Sequence, residues 1–404
     1  MKYVNSLKYM NSFEPSSKPS DISLKRTALL CELLGRVNIN TKCIFIPGGS
    51  AGYATAVMLE SVIKCEGYHV GRITSEFGFD SRKMVFIDGA PASIDDYNRA
   101  VAELKAKISA IADQQFLREE VYFALSLLLC KMNDCKYIIL EGMSCKDYDL
   151  ASLCAPFDIV IAPVAQEIDE PSVDAVCKAI SEGARAIVSG NQKIPIYGKI
   201  SSVAKTGINV TAKKNFTVKS CSGIRLDFSY GNREGYSMRS PSVIQRDCAM
   251  LVIDTAQAMR RDGVKVQWSS IESGISSATC TGLFDTFSVS PLMLFDSASD
   301  AHGVSALLST LDEVFGKDRF KDISVCVPVS AIPCLSLFED IDTVTVVGAD
   351  SLDVGEIGAQ NLIFCKDLKE ASKQLAAQMK NGKNVLAFGS VAFVTELKDE
   401  LSRP

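Results

Sequence analysis

Histidine is nearly missing from this chain. Only His69 and His302 occur among its 404 residues, which argues strongly against a histidine-based catalytic triad or a multi-histidine metal site as the basis of its function. The 14 cysteines contain no C-x-x-C pair, the spacing that zinc ribbons and dithiol-redox sites use. Cys43, Cys130 and Cys326 lie inside apolar runs, where a reduced thiol behaves as a small hydrophobe, and a reducing compartment is expected. Long hydrophobic runs are missing too. The longest mainly apolar run, Phe123–Cys130, falls far short of the roughly 20 residues a membrane-spanning helix needs. No basic start, apolar run and small-residue cleavage site follow one another at the N-terminus, so a signal peptide is not expected and a cytoplasmic location is. The net charge is −5 with both signs mixed along the chain, which argues against nucleic acid or an anionic membrane as the main partner.

What is present is the profile of a soluble globular protein, 47% apolar and 23% charged, long enough for two or three domains. Lys42–Pro47 reads as a short buried strand, and Gly48–Gly52 as a small-residue turn. A helix then follows from about Ala54 to Cys65 and stops at Gly67, a residue suited to the left-handed position after a helix. Tyr137–Gly142 and Asp158–Val164 read as further buried strands, with a helix over Glu119–Met132. Strands alternating with helices imply a parallel sheet covered on both faces. Between about residues 191 and 236, short runs of alternating polarity separated by Gly, Asn and Ser suggest a small antiparallel insertion. A helix resumes over Val243–Arg260. From Pro291 onward PLMLFD, ISVCVPVS, TVTVVGA, NLIFC and NVLAFGS supply the strands of a separate Rossmann-like domain. The expected division is 1–280 and 281–404, with the break near Cys280–Phe287.

Strand, small-residue turn and helix in succession present backbone N–H groups to a phosphate. In a working P-loop a Lys then reaches the β/γ-phosphates and a Ser or Thr holds Mg²⁺. The stretch IPGGSAGYATAVML has this layout, but Gly52 and Ala54 stand where that Lys and Ser are expected. A tight strand-to-helix turn without a ligand is the competing reading.

Several further motifs stand in order around this stretch. YVNSLKYMNSFEPSS and SLKRTALLCELLG open the chain. EGYHVG (Glu66–Gly71) and TSEF (Thr74–Phe77) follow the loop, and LEGMSCKDYD contains Glu141. TGLFD (Thr281–Asp285), DSASD (Asp296–Asp300) and VLAFGSVAFVTEL complete the set. Together they resemble the folylpolyglutamate and dihydrofolate synthases of the Mur ligase superfamily. In that family A-G-T-N-G-K-G-S, A-G-Y-x-V-G, T-S-P-H, L-E-V-G, P-G-R-F-E and D-G-A-H-N occur in the same order.

The resemblance implies a P-loop-type Mur-ligase central domain with a C-terminal Rossmann-like domain. It also implies the family's ATP-dependent ligation of L-glutamate to a folate, with ATP and Mg²⁺ as cofactors and a folate or other glutamate-like carboxylate as ligand. By the same carry-over Gly48, Gly49, Ser50, Ala51, Gly52 and Ala54 correspond to the phosphate loop. Asp296 stands on the nucleotide side, Ser75 and Glu141 in the metal site, and Lys178 at the lysine that the family often carbamylates. The departures are concentrated in the chemistry. The P-loop Lys and Ser correspond to Gly52 and Ala54, the Arg of G-R-F-E to Leu283 and the His of D-G-A-H-N to Ser299, while PVAQEIDE lacks the metal-site His. Little or no ligase activity is therefore expected. A rebuilt amide ligase, a non-catalytic binding or regulatory subunit, and an interaction partner of a paralogous synthase all stay open. If the loop backbone is intact, Gly52→Lys with Ala54→Ser is expected to restore nucleotide affinity before activity.

Overall fold

The computed structural model describes residues 2–35, 41–74, 80–111, 114–142, 148–163, 170–211, 215–316, 323–338, 341–349 and 359–403. The chain forms two compact units: residues 1–214 with 248–277, and residues 215–247 with 278–404.

In the first unit the strands are β1 (Lys42–Ile46), β2 (Val70–Thr74), β3 (Val85–Ile87), β4 (Ala90–Pro91), β5 (Tyr137–Glu141), β6 (Phe157–Ala162), β7 (Ala184–Ser189) and β8 (Ile208–Val210). They form one sheet in the order β4-β3-β2-β5-β1-β6-β7-β8, parallel from β2 through β8. Sequences such as KCIFI and YIILE suit this because a parallel sheet is covered on both faces. Cys43, Phe45, Ile73 and Leu140 belong to one core. Since side chains alternate along a strand, Arg72, Thr74 and Glu141 project to the opposite face. On the first face Arg118–Met132 is buried on all sides from Glu120 to Cys130, the state a helix without a polar face requires. After β1 the chain passes to β2 on one side, while β6 lies on the other, so the end of β1 is a topological switch point, where open α/β sheets bind ligands.

The second unit holds two sheets. β9 (Phe216–Ser222), β10 (Arg225–Tyr230) and β11 (Arg233–Met238) are antiparallel, and the Phe228 ring stacks between Phe216 and Tyr236 at 4.8 and 5.3 Å. β12 (Asp285–Val289), β13 (Leu292–Asp296), β14 (Ile323–Pro328), β15 (Ile341–Val347), β16 (Ala359–Cys365) and β17 (Val385–Phe388) form the other sheet. Its order is β12-β13-β17-β14-β15-β16, with only β12 antiparallel.

Three details differ from the sequence reading. The antiparallel region is narrower than 191–236, because Ile194–Val203 is a helix with Pro195 at its start, a position where a missing N–H costs nothing, and β8 pairs parallel with β7. The antiparallel sheet also falls with residues 278–404 rather than with the first unit. Finally, the helix after β1 begins at Ser50, not Ala54. Gly67, with φ +93°, follows the end of that helix as expected.

Candidate functional site

The loop after β1 is short. Ile46 ends the strand, Gly49 (φ +93°) turns the chain, and the helix Ser50–Cys65 starts at once, with Tyr53 N–H donating to Gly49 O at 2.9 Å. Ser50, Ala51 and Gly52 are therefore the first helical turn and not an open loop. A Cβ on Gly52 would stand 2.0 Å from the carbonyl oxygen of Pro47. Only glycine lets strand end and helix start approach this closely. Ala54 is fully buried, and the Cys248 thiol donates to Ala51 O at 3.3 Å. On the other side Gly48 runs against Gly142, whose Cα a Cβ at 48 would meet at 3.2 Å. Of the loop positions singled out by sequence, Gly49 is exposed, Gly48 and Ser50 are half-buried, and Ala51, Gly52 and Ala54 are buried.

Glu141 closes β5 opposite Ile46 of β1 and Thr74 of β2. It is only 4% exposed and so does not face solvent. Its Oε2 accepts from Arg72 Nη1 at 3.4 Å, and Arg72 Nε donates to Glu60 Oε2 at 2.9 Å. Glu60, on the helix Ser50–Cys65, takes a further hydrogen bond from Gly89 N–H at 2.8 Å. The guanidinium carbon lies 4.1 Å from the centre of the Phe86 ring and 5.7 Å from that of Tyr53. Arg72 and Glu60 are 3% and 2% exposed, so this ion network is shut away from water. Burial opposes the charge on Arg72, but Glu60 and Glu141 more than offset it and hold its pKa above the ordinary arginine value. Buried charges persist only when paired in this way.

The two metal positions carried over from the family thus fare differently. Ser75 lies outside the described residues. Glu141 is engaged by a cation that the chain itself supplies. Among the described residues no cluster of His, Cys, Asp or Glu is arranged to hold a metal ion, and a guanidinium 3.4 Å from the carboxylate repels a divalent cation arriving there. Among the described residues, Glu141 with Arg72 against it does not fit Mg²⁺.

Lys178 stands on the exposed side of the helix Glu170–Ser181. Asp296, in the second unit, ends β13 and is 3% exposed. Its two oxygens accept from Phe284 N–H and Ala298 N–H, both at 2.8 Å. Burial pushes its carboxyl up to about 7, against the downward pull of those amides. It does not cap the helix that follows; Asp300 does, accepting from Gly303 N–H at 2.8 Å. Phe284, the residue Asp296 holds, is at φ +46°, so the carboxylate pins a turn that L-residues seldom adopt. Leu283 is buried and its carbonyl accepts from Gln245 Nε2 at 2.6 Å, while Ser299 is exposed.

Sequence reasoning missed Arg72 and Glu60. The signal was a lone arginine inside a short strand (VGRIT) and a lone glutamate in an apolar helix (AVMLESVI), since charges in such places are rarely left unpaired.

The fold defines the class: a two-unit α/β protein with a P-loop-type sheet and a Rossmann-like sheet. Profiles of protein families give no match. A folylpolyglutamate synthase of Lacticaseibacillus casei is 24% identical over 341 residues, 78% of each chain. The solved folylpolyglutamate synthetase from Lactobacillus casei superposes over 100% of both chains with a TM-score of 0.79 at 17% identity. A Mycobacterium tuberculosis folylpolyglutamate synthase complexed with ADP matches over 100% of this chain and 99% of its own, with a TM-score of 0.77 at 16% identity. Over most of its length the chain is similar in sequence to folylpolyglutamate and dihydrofolate synthases, and it shares the fold of the solved ones.

Proposed function

We propose that this protein is a folylpolyglutamate synthase-like protein that binds rather than ligates. Its nucleotide site has been converted into packed structure. The observation that carries this reading is the start of the helix Ser50–Cys65. Gly52, at the position of the P-loop lysine, has Pro47 O where a Cβ would project, and Ala54, at the position of the Mg²⁺-binding hydroxyl, is fully buried. Neither position can present a charged or metal-binding side chain to a phosphate without movement of the backbone.

The family's ligation passes through transfer of a phosphoryl group from ATP to a carboxylate, and positioned cations supply most of its catalysis. Loss of one such partner costs roughly 10²–10³ in rate. Here the lysine is absent and Glu141 is occupied by Arg72. A role as a binding or regulatory subunit follows, with a folate or another glutamate-like carboxylate as ligand, or a paralogous synthase as partner. The ADP-bound neighbour supplies the contrast against which the loss is measured.

The test is calorimetric titration of the full-length protein with Mg-ATP. No saturable heat is expected at millimolar nucleotide. Micromolar affinity would overturn the reading and favour a rebuilt ligase.

A further inference from the structure

We infer that the Arg72 guanidinium is a built-in replacement for the divalent cation: a fixed internal positive charge that closes the metal position at Glu141. This deepens the proposed function and rests on it for the identification of Glu141 with the family's metal-binding carboxylate.

Three observations on the same few residues carry it. First, the register places Glu141 at the end of β5 between Ile46 and Thr74, on the strand edge where open α/β sheets bind ligands. Glu141 nevertheless turns its carboxylate back to β2, to a residue two positions before Thr74, and meets Arg72 at 3.4 Å. Second, Arg72 is held as a fixed group. Glu60 grips its Nε at 2.9 Å, the Gly89 amide orients Glu60 from behind, and Phe86 lies 4.1 Å from the guanidinium carbon. A planar guanidinium stacked on a ring and forked between two carboxylates loses less freedom than an ammonium would. Third, the charges are unequal. Two buried carboxylates share one guanidinium, so removal of Arg72 leaves two acids facing one small volume, the arrangement that draws in a divalent ion. The chain has exchanged a dissociable cation for a covalent one.

The experiment is a Mn²⁺ titration of nucleotide-free, full-length protein, with unbound Mn²⁺ read by its electron paramagnetic resonance signal. Wild type is expected to take up no Mn²⁺. Arg72→Met keeps a side chain of similar length without the charge. It is expected to bind about one Mn²⁺ per chain, a gain in affinity on the order of 100-fold or more, and this uptake is lost in Arg72→Met/Glu141→Gln. Should Arg72→Met fail to fold, Arg72→Gln, uncharged but still able to hydrogen-bond, keeps both Glu60 and Glu141 and carries the same expectation.

Uptake of one Mn²⁺ per chain by wild type, abolished by Glu141→Gln, overturns the inference. So does a folded Arg72→Met or Arg72→Gln that binds none. The two readings fail separately. Mg-ATP binding by a wild type that ignores free Mn²⁺ removes the nucleotide-site proposal and leaves Arg72 in its role. Mn²⁺ uptake through Glu141 removes the role of Arg72 whatever ATP does.

Discussion

The carbonyl oxygen of Pro47 occupies the space into which a side chain at Gly52 would grow, 2.0 Å from the ideal Cβ position. Pro47 is buried and its carbonyl belongs to the backbone, so it cannot swing aside as the tip of a long side chain would. Gly52→Ala is therefore expected to lower stability by about 1–3 kcal/mol, read as a fall in the denaturation midpoint without a change in slope. Gly52→Lys with Ala54→Ser should do the same without any gain in nucleotide binding by calorimetry. This reverses the expectation drawn from the sequence, which assumed that the loop had kept its shape. A stable double variant with restored Mg-nucleotide affinity would show that the helix start opens readily.

Glu120 is a second point where one side chain secures several elements. It is fully buried, and it accepts from Ser23 N–H at 2.7 Å, Arg26 Nε at 2.7 Å and Leu117 N–H at 3.2 Å. It ties the start of the helix Leu24–Leu33 to that of Arg118–Met132. Glu120→Ala removes the acceptor that Ser23, Arg26 and Leu117 share and should cost about 3–5 kcal/mol, measured by urea unfolding. Glu120→Gln, which keeps an acceptor, should cost less.

Asp296 gives a pH dependence with a definite sign. Its carboxyl titrates near 7 in the folded chain because burial disfavours the charge, and near 4 when unfolded. Between these values the native state holds the extra proton, so this group makes stability fall as pH rises from about 4 to about 7, with no further change above. Asp80 and Asp96 are shifted downward: burial alone would raise them, but hydrogen bonds from Arg82, Tyr3 and a backbone amide at Asp80, and from Arg99 and Ser93 at Asp96, with the arginine charges, together outweigh it. Their contributions are lost only below the ordinary carboxylate range. Thermal melts of wild type and Asp296→Asn from pH 4 to 8 should show a shallower decline in the variant. Equal slopes would mean that Asp296 stays ionised on its two amides.

Limited digestion with proteinase K, which has little sequence preference, should cut first in the exposed bend Lys205–Gly207, where local opening is easy. The stretch 280–287, expected from sequence to be a domain junction, is held by hydrogen bonds to Leu283 O and from Phe284 N–H, and Lys398 pairs with Asp285 at 2.6 Å. It should be cleaved later. Early fragments ending between Cys280 and Phe287, read by mass spectrometry, would contradict this.

The buried strands, the helix stop at Gly67 and the two parallel sheets were legible because each rests on a local pattern of apolar period and breaker residues. The helix start was not. Gly-Gly-Ser-Ala-Gly serves equally well as an open turn or as a closely packed first helical turn, and the choice depends on Pro47 and Cys248, the latter nearly 200 residues away in sequence. Arg72 was passed over for the same reason: its partners are 12 and 69 residues distant. Asp296 and Asp300 look alike in DSASD, and only the geometry assigns the helix cap to Asp300 and the turn at Phe284 to Asp296.

The way the chain divides between its two units bears on how it is made. Residues 215–247 belong with 278–404, whereas 248–277 return to the first unit. During synthesis the antiparallel strands β9–β11 leave the ribosome before the first unit has its last segment and well before the second unit's other sheet exists. Domains that occupy one uninterrupted stretch can fold as soon as they emerge. Here neither can, and a gene cut at any single codon yields two fragments of which at least one is incomplete.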